Sequence, residues 1–133
     1  MIVVDASVAF KWLLEEEGSD RAAGLVAAQT VLAPSLLRIE VANALLTKVR
    51  RRDISASSAR TAHATLGSFI SDWVEIAALA DDAFSIALEL LHPVYDCYYL
   101  ALAQIREVGL VTADLRLIEV CRGSRFESQV LPL

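Results

Sequence analysis

The feature that most constrains this chain is a short β-branched run, Ile2-Val3-Val4, that stops at an acid, Asp5. A strand apolar on both faces belongs inside a sheet covered on each side, the usual setting of parallel strands. The pattern returns late in the chain, where Leu110-Val111-Thr112 leads through Ala113 to Asp114. Both acids thus fall just beyond the carboxyl ends of expected central strands, where open parallel sheets keep their ligand sites.

Helical periodicity fills the space between. Ser7 is placed to cap a helix running through Phe10, Trp12 and Leu14 to the acidic run Glu15-Glu16-Glu17 and Gly18. Further helices are expected over about 20–28, from Pro34 to the arginine run at 50–52, over 55–71, 81–91, 96–107 and 114–121. Strands are expected at 31–33, 73–76, 110–112 and 129–131. Strands alternating with helices predict an α/β fold with a short parallel sheet between helical layers. The 133 residues suit one domain spanning the whole chain, 1–133.

Apolar residues make up 56% of the sequence, but charges interrupt them too often for a membrane span of ~20 residues. Basic residues that would open a signal peptide are absent before Asp5, so a cytoplasmic protein is expected. Cys97 and Cys121 form no CxxC pair and read as reduced core thiols. His63 and His92 are isolated and give little support to a histidine-based site. The formal net charge of −5 argues against a nucleic-acid partner unless basic groups gather locally, as Lys48-Val49-Arg50-Arg51-Arg52 do. That run serves equally as a solvated helix end complementing its dipole.

Two more acids occupy apolar surroundings. Glu40 interrupts the helix Leu36-Leu37-Arg38-Ile39-Glu40-Val41-Ala42-Asn43-Ala44-Leu45, and Asp96 opens Cys97-Tyr98-Tyr99-Leu100-Ala101-Leu102-Ala103. Singly, each acid has a plain structural role: Asp96 and Asp114 as helix caps, Glu40 as a partner of Arg38 or a lysine. Together, four near-buried carboxylates are too costly to keep without a cation between them. A set of oxygen ligands without His or Cys suits Mg²⁺ or Mn²⁺ rather than zinc. The residues themselves lead as far as Mg²⁺-dependent phosphoryl chemistry.

The order and spacing of Ile-Val-Val-Asp-Ala-Ser, Ala-Pro-Ser-Leu-Leu-Arg-Ile-Glu-Val-Ala-Asn-Ala-Leu, Tyr-Asp-Cys-Tyr-Tyr-Leu-Ala-Leu-Ala and Leu-Val-Thr-Ala-Asp-Leu-Arg-Leu resemble the PIN-domain nucleases. The likeness is strongest to the VapC-type toxins of toxin–antitoxin pairs and covers essentially the whole chain. It implies a PIN-like three-layer fold and an acidic quartet of Asp5, Glu40, Asp96 and Asp114 that holds Mg²⁺, with Mn²⁺ as a substitute. It also implies that the hydroxyls of Ser7 and Thr112 support the carboxylates, with capping and strand packing as their alternatives. The implied activity is hydrolysis of RNA phosphodiesters. The implied partners are the RNA substrate, a cognate antitoxin docking on the helices at 20–28 and 34–52, and a second copy in a homodimer. Phe10, Trp12 and Phe69 are candidates for such a groove or, more simply, for the core. Many relatives carry another acid soon after the position of Asp114; here Leu115, Leu117 and Ile118 are apolar and Glu119 is the nearest carboxylate.

The competing reading is a non-catalytic PIN-like module that binds RNA or protein, against which the intact quartet counts. A receiver-type signalling domain would want an acidic pair early and a lysine after a late strand. An aspartyl phosphatase would want Asp-x-Asp where Asp5-Ala6-Ser7 stands.

Overall fold

A computed structural model describes all 133 residues. The five strands, β1 (Ile2–Val4), β2 (Val31–Pro34), β3 (Asp72–Val74), β4 (Gly109–Thr112) and β5 (Val130–Pro132), form one sheet in the order β3-β2-β1-β4-β5. Every neighbouring pair is parallel. Val3 lies between Leu32 of β2 and Leu110 of β4, and Val3, Val4 and Leu110 are wholly buried. The apolar runs are thus central strands, as their composition dictates.

Seven helices flank the sheet: α1 (Ala6–Leu13), α2 (Ser19–Ala28), α3 (Leu36–Arg50), α4 (Ala56–Thr65), α5 (Ala80–Leu90), α6 (Val94–Arg106) and α7 (Leu115–Cys121). The α/β layering expected from the sequence is therefore present. Helix α6 supplies most to the core, burying Cys97 and the run Tyr99 to Ala103. Trp12 ties α1 to α2 by donating its indole N–H to the Ala22 carbonyl at 2.8 Å. At the sheet edge, Gly109 admits the Leu131 side chain of β5; a Cβ there would meet Leu131 Cδ1 at 2.6 Å.

Four local expectations are corrected. Ser7 does not cap α1; Asp5 does, because only the residue directly leaving β1 has the extended backbone a cap needs, and its carboxylate accepts the Val8 N–H. Pro34 ends β2 opposite Val74 instead of opening a helix, so α3 begins at Leu36. The stretch 55–71 is not one helix: Ser55 caps α4, which tightens at Leu66–Phe69 into a 3₁₀ turn containing Gly67. The strand expected at 73–76 stops at Val74, and Ile76 enters a second 3₁₀ turn whose first N–H is held by Ser35 Oγ.

Candidate active site

The strand order reverses direction between β1 and β4: the chain moves outward from β1 through β2 to β3, then returns to the other side of β1. Such a switch point leaves a crevice at the carboxyl ends of the two strands. Asp5 leaves β1 there, and Thr112 and Asp114 leave β4.

Asp5 is only 4% exposed, and both its oxygens are engaged. Ser7 Oγ donates to Oδ1 at 2.5 Å, and the Thr112 hydroxyl donates to Oδ2. Those hydroxyls are themselves aimed by the backbone leaving β4. The Ala113 N–H donates to Ser7 Oγ at 2.8 Å, and the Asp114 N–H to Thr112 Oγ1 at 3.0 Å. A continuous relay therefore runs from the β4 turn through two hydroxyls to one carboxylate, and each bond polarises the next. Ser7 and Thr112 stand where the sequence reading put them, beside the acid.

Glu40, half-buried on α3, accepts the Tyr99 phenol at 2.9 Å. It does not pair with Arg38, whose guanidinium lies 3.9 Å over the Trp73 ring. Asp96, in the first turn of α6, bonds His92 Nε2 at 2.6 Å and makes no capping bond. Asp114 caps α7 through the Arg116 N–H at 2.8 Å.

The acids feel one another. Burial raises the Asp5 carboxyl above its ordinary range; the two hydroxyls and the Val8 N–H oppose this, and the Asp96 charge adds to it. Burial likewise raises Glu40, the Tyr99 phenol works against it, and the charges of Asp96 and Asp5 push it further. The Tyr99 phenol is pushed well above its usual value, first by burial and then by the Glu40 charge. Asp5, Glu40 and Asp96 thus share one field, whereas Asp114 touches the relay only through its backbone N–H, its carboxylate being turned to the Arg116 N–H.

The donor set, carboxylate and hydroxyl oxygen throughout, has the chemistry of a site for a hard divalent cation. The mutual repulsion of its acids is what such a cation relieves. In this arrangement each acid is turned to its own protein partner, and no three His, Cys, Asp or Glu side chains stand close enough to clasp one ion.

A cleft of about 460 Å³ opens beside the relay, bordered by Ser7, Glu40, Asn43, Lys11 and Glu16. Lys11 is anchored there by Glu16 at 3.0 Å and by the Glu17 carbonyl at 2.7 Å. Sequence reasoning missed Lys11, Tyr99 and His92 as neighbours of the acids. The i, i+4 spacing of His92 and Asp96 was the one signal available. Glu119 belongs elsewhere: it is exposed and pairs with Arg122 at 3.2 Å. Both cysteines are free and buried, with thiols raised chiefly by burial, Cys97 to about 12 and Cys121 to about 11. Buried thiols held protonated in this way have the character of core residues. Phe10 is core, whereas Trp12 is half-buried with Phe69 against it, ring centroids 5.2 Å apart.

The family model of the PIN domain matches residues 2–123. Ribonuclease VapC9 of Mycobacterium tuberculosis is 35% identical over 117 residues, 88% of each chain. Among solved structures, a toxin–antitoxin complex from Klebsiella pneumoniae contains a chain with a TM-score of 0.70 at 14% identity, covering 98% of this chain and 96% of that one. Mycobacterium tuberculosis VapC20, described as a sarcin–ricin-loop-cleaving toxin, gives 0.68 at 16% identity over 96% and 98%. Matched by the family model over most of its length and by a relative at this level of identity, the chain belongs to the PIN-domain proteins, in their VapC-type branch.

Proposed function

We propose that this chain is a Mg²⁺- or Mn²⁺-dependent ribonuclease, the toxin of a toxin–antitoxin pair, with Asp5, Glu40, Asp96 and Asp114 as its metal-holding and catalytic residues. The observation that carries this is the buried Asp5, clamped by Ser7 and Thr112 at the β1/β4 switch point within the field of two further acids. When bound, the divalent cation would neutralise these carboxylates, polarise the phosphodiester and acidify the attacking water.

The chain's own residues do the rest. Ser7 and Thr112 fix the orientation of Asp5, and Tyr99 fixes that of Glu40. No histidine base is required, and none faces the cleft beside Ser7 and Glu40. Lys11, although paired with Glu16, is the one cation at the cleft wall. The end of α3 supplies more: Arg50, Arg51 and Arg52 are exposed, and none pairs with a carboxylate, whereas Lys48 faces Asp53 at 4.0 Å. Unpaired guanidiniums on an otherwise acidic protein are the natural place for RNA phosphates.

The antitoxin reading rests on relatives named as VapC and on an apolar hollow beside α3, one of the two helices expected to receive a partner. It has a volume of about 280 Å³ and lies between α3 and α4, the latter outside the expected surface, against Leu45, Leu46, Val49 and Ala59. The homodimer reading is supported by Phe84, Leu88, Leu91 and Tyr95, an exposed apolar stripe along α5 into α6. No helix is long and apolar enough to cross a membrane.

The test is cleavage of a labelled structured RNA in Mg²⁺, Mn²⁺ or EDTA, with Asp5→Asn protein purified alongside. Metal-dependent cutting that disappears in the variant supports the nuclease. Failure of the folded wild-type protein to cut a panel of RNAs that it binds would turn the reading to the non-catalytic module.

A further inference from the structure

Helix α5 ends on Leu91 in the left-handed conformation, φ 50°, although its side chain is 88% exposed and makes no use of the position. The next N–H, that of His92, returns to the Ala87 carbonyl at 3.3 Å and closes the helix end. Pro93 then stands at the N-cap of α6, which begins at Val94. This corner sets the His92 ring against the first turn of α6, where Nε2 meets Asp96 Oδ2 at 2.6 Å. Both side chains are recessed, 13% and 24% exposed. His92 lies in the turn between α5 and α6, so the pair ties that turn to the helix that carries Asp96 and is not an ordinary surface pair along one helix.

Asp96 sits in the first turn, where carboxylates often cap free N–H groups, yet its only hydrogen bond is to His92. That bond takes one oxygen and leaves Oδ1 without a protein partner. The carboxylate so held is the one whose charge reaches both Asp5 and Glu40.

We propose that His92 is the positioning residue of the metal site: its imidazole N–H holds Asp96 by Oδ2 and presents Oδ1 for the cation. This rests on the reading of Asp96 as a ligand. Outer partners of this kind set the orientation and basicity of the ligand they hold, and their loss weakens metal affinity by about 10–100-fold.

The experiment is calorimetric titration of metal-free, full-length protein with Mn²⁺, comparing wild type, His92→Phe, His92→Gln and Asp96→Asn. His92→Phe keeps the ring volume and removes the donor; His92→Gln restores an N–H donor. Urea unfolding midpoints of each variant report folding separately. The expected result is Mn²⁺ affinity at least tenfold weaker in His92→Phe, recovered in large part by His92→Gln. RNA cleavage by His92→Phe should rise toward wild type as Mn²⁺ is increased, with KM for RNA unchanged. Wild-type Mn²⁺ affinity in His92→Phe, with affinity lost in Asp96→Asn, overturns the positioning role and leaves the ligand reading standing. Equal loss in His92→Phe and His92→Gln would assign His92 to packing alone. Undiminished affinity in Asp96→Asn removes the ligand reading and the proposal with it.

Discussion

The carboxyl end of the sheet and the far end of α3 both gather charge, in opposite ways. At the sheet end, Asp5 is buried and both its oxygens are bonded, Glu40 is held by Tyr99, and Asp96 by His92. At the end of α3, Arg50, Arg51 and Arg52 stand exposed without acidic partners. Groups that must meet a reacting centre are held in one geometry, which costs desolvation and pushes carboxylates up. Groups that only need to attract a polyanion keep their solvent and their freedom, at almost no cost to the fold. The contrast separates residues that should govern the chemical step from residues that should govern capture.

Exchanging charge in the first region should have the largest effect. If Asp5 holds the cation as proposed, Asp5→Asn should lower cleavage by more than about a hundredfold, beyond the loss of an outer partner, while RNA binding in EDTA stays close to wild type. Single-turnover cleavage and filter binding measure the two halves; binding lost along with cleavage would break the division. Tyr99→Phe keeps the buried ring and removes only the donor to Glu40. It should cost about 1 kcal/mol of stability and lower kcat roughly tenfold with KM unchanged. In the second region, Arg50→Ala should leave kcat alone, weaken RNA binding a few-fold at low salt, and lower the salt slope of log K by about 0.7. An unchanged slope would mean the run is only a helix end.

The smallest effect sharpens the comparison through pH. Asp5 and Glu40 titrate above their ordinary values of 3.8 and 4.5 in the folded protein. Over the window between ordinary and raised values the native state binds more protons than the unfolded chain, so stability falls as pH rises through it. The penalty is complete above the raised values and absent below the ordinary ones. In EDTA, Asp5→Asn should therefore melt a few degrees higher than wild type at neutral pH, roughly 4 °C for each kcal/mol, with the gain shrinking toward pH 4. Arg50→Ala should show no such pH-dependent difference.

Much of this was legible in the sequence because the signals are local. Ile2-Val3-Val4 and Leu110-Val111-Thr112 announce central strands by composition, and the acids after them announce the switch point. Asp114 is a cap as its position suggests. The missed contacts all depend on which elements meet in space. Tyr99 reads as one more apolar residue of α6, and only the packing of α6 beside α3 brings its phenol to Glu40. Ser7 reads as the obvious cap of α1 until β4 is placed beside β1, where its hydroxyl serves Asp5 and the Ala113 N–H instead. Pro34 carries signals for a helix start and for a strand end alike, and pairing with β3 decided between them. His92 reads as isolated because its partner, Asp96, lies across a proline corner.

The central claim is that the acids at the β1/β4 switch point take a divalent cation between them. The most direct measurement is anomalous diffraction at the manganese edge from crystals grown metal-free and soaked in Mn²⁺. The account predicts a peak within about 2.0–2.6 Å of carboxylate oxygens of both Asp5 and Asp96, with Glu40 or Asp114 completing the site directly or through water. A peak elsewhere, or none at this end of the sheet in protein that cleaves RNA with Mn²⁺, would contradict it.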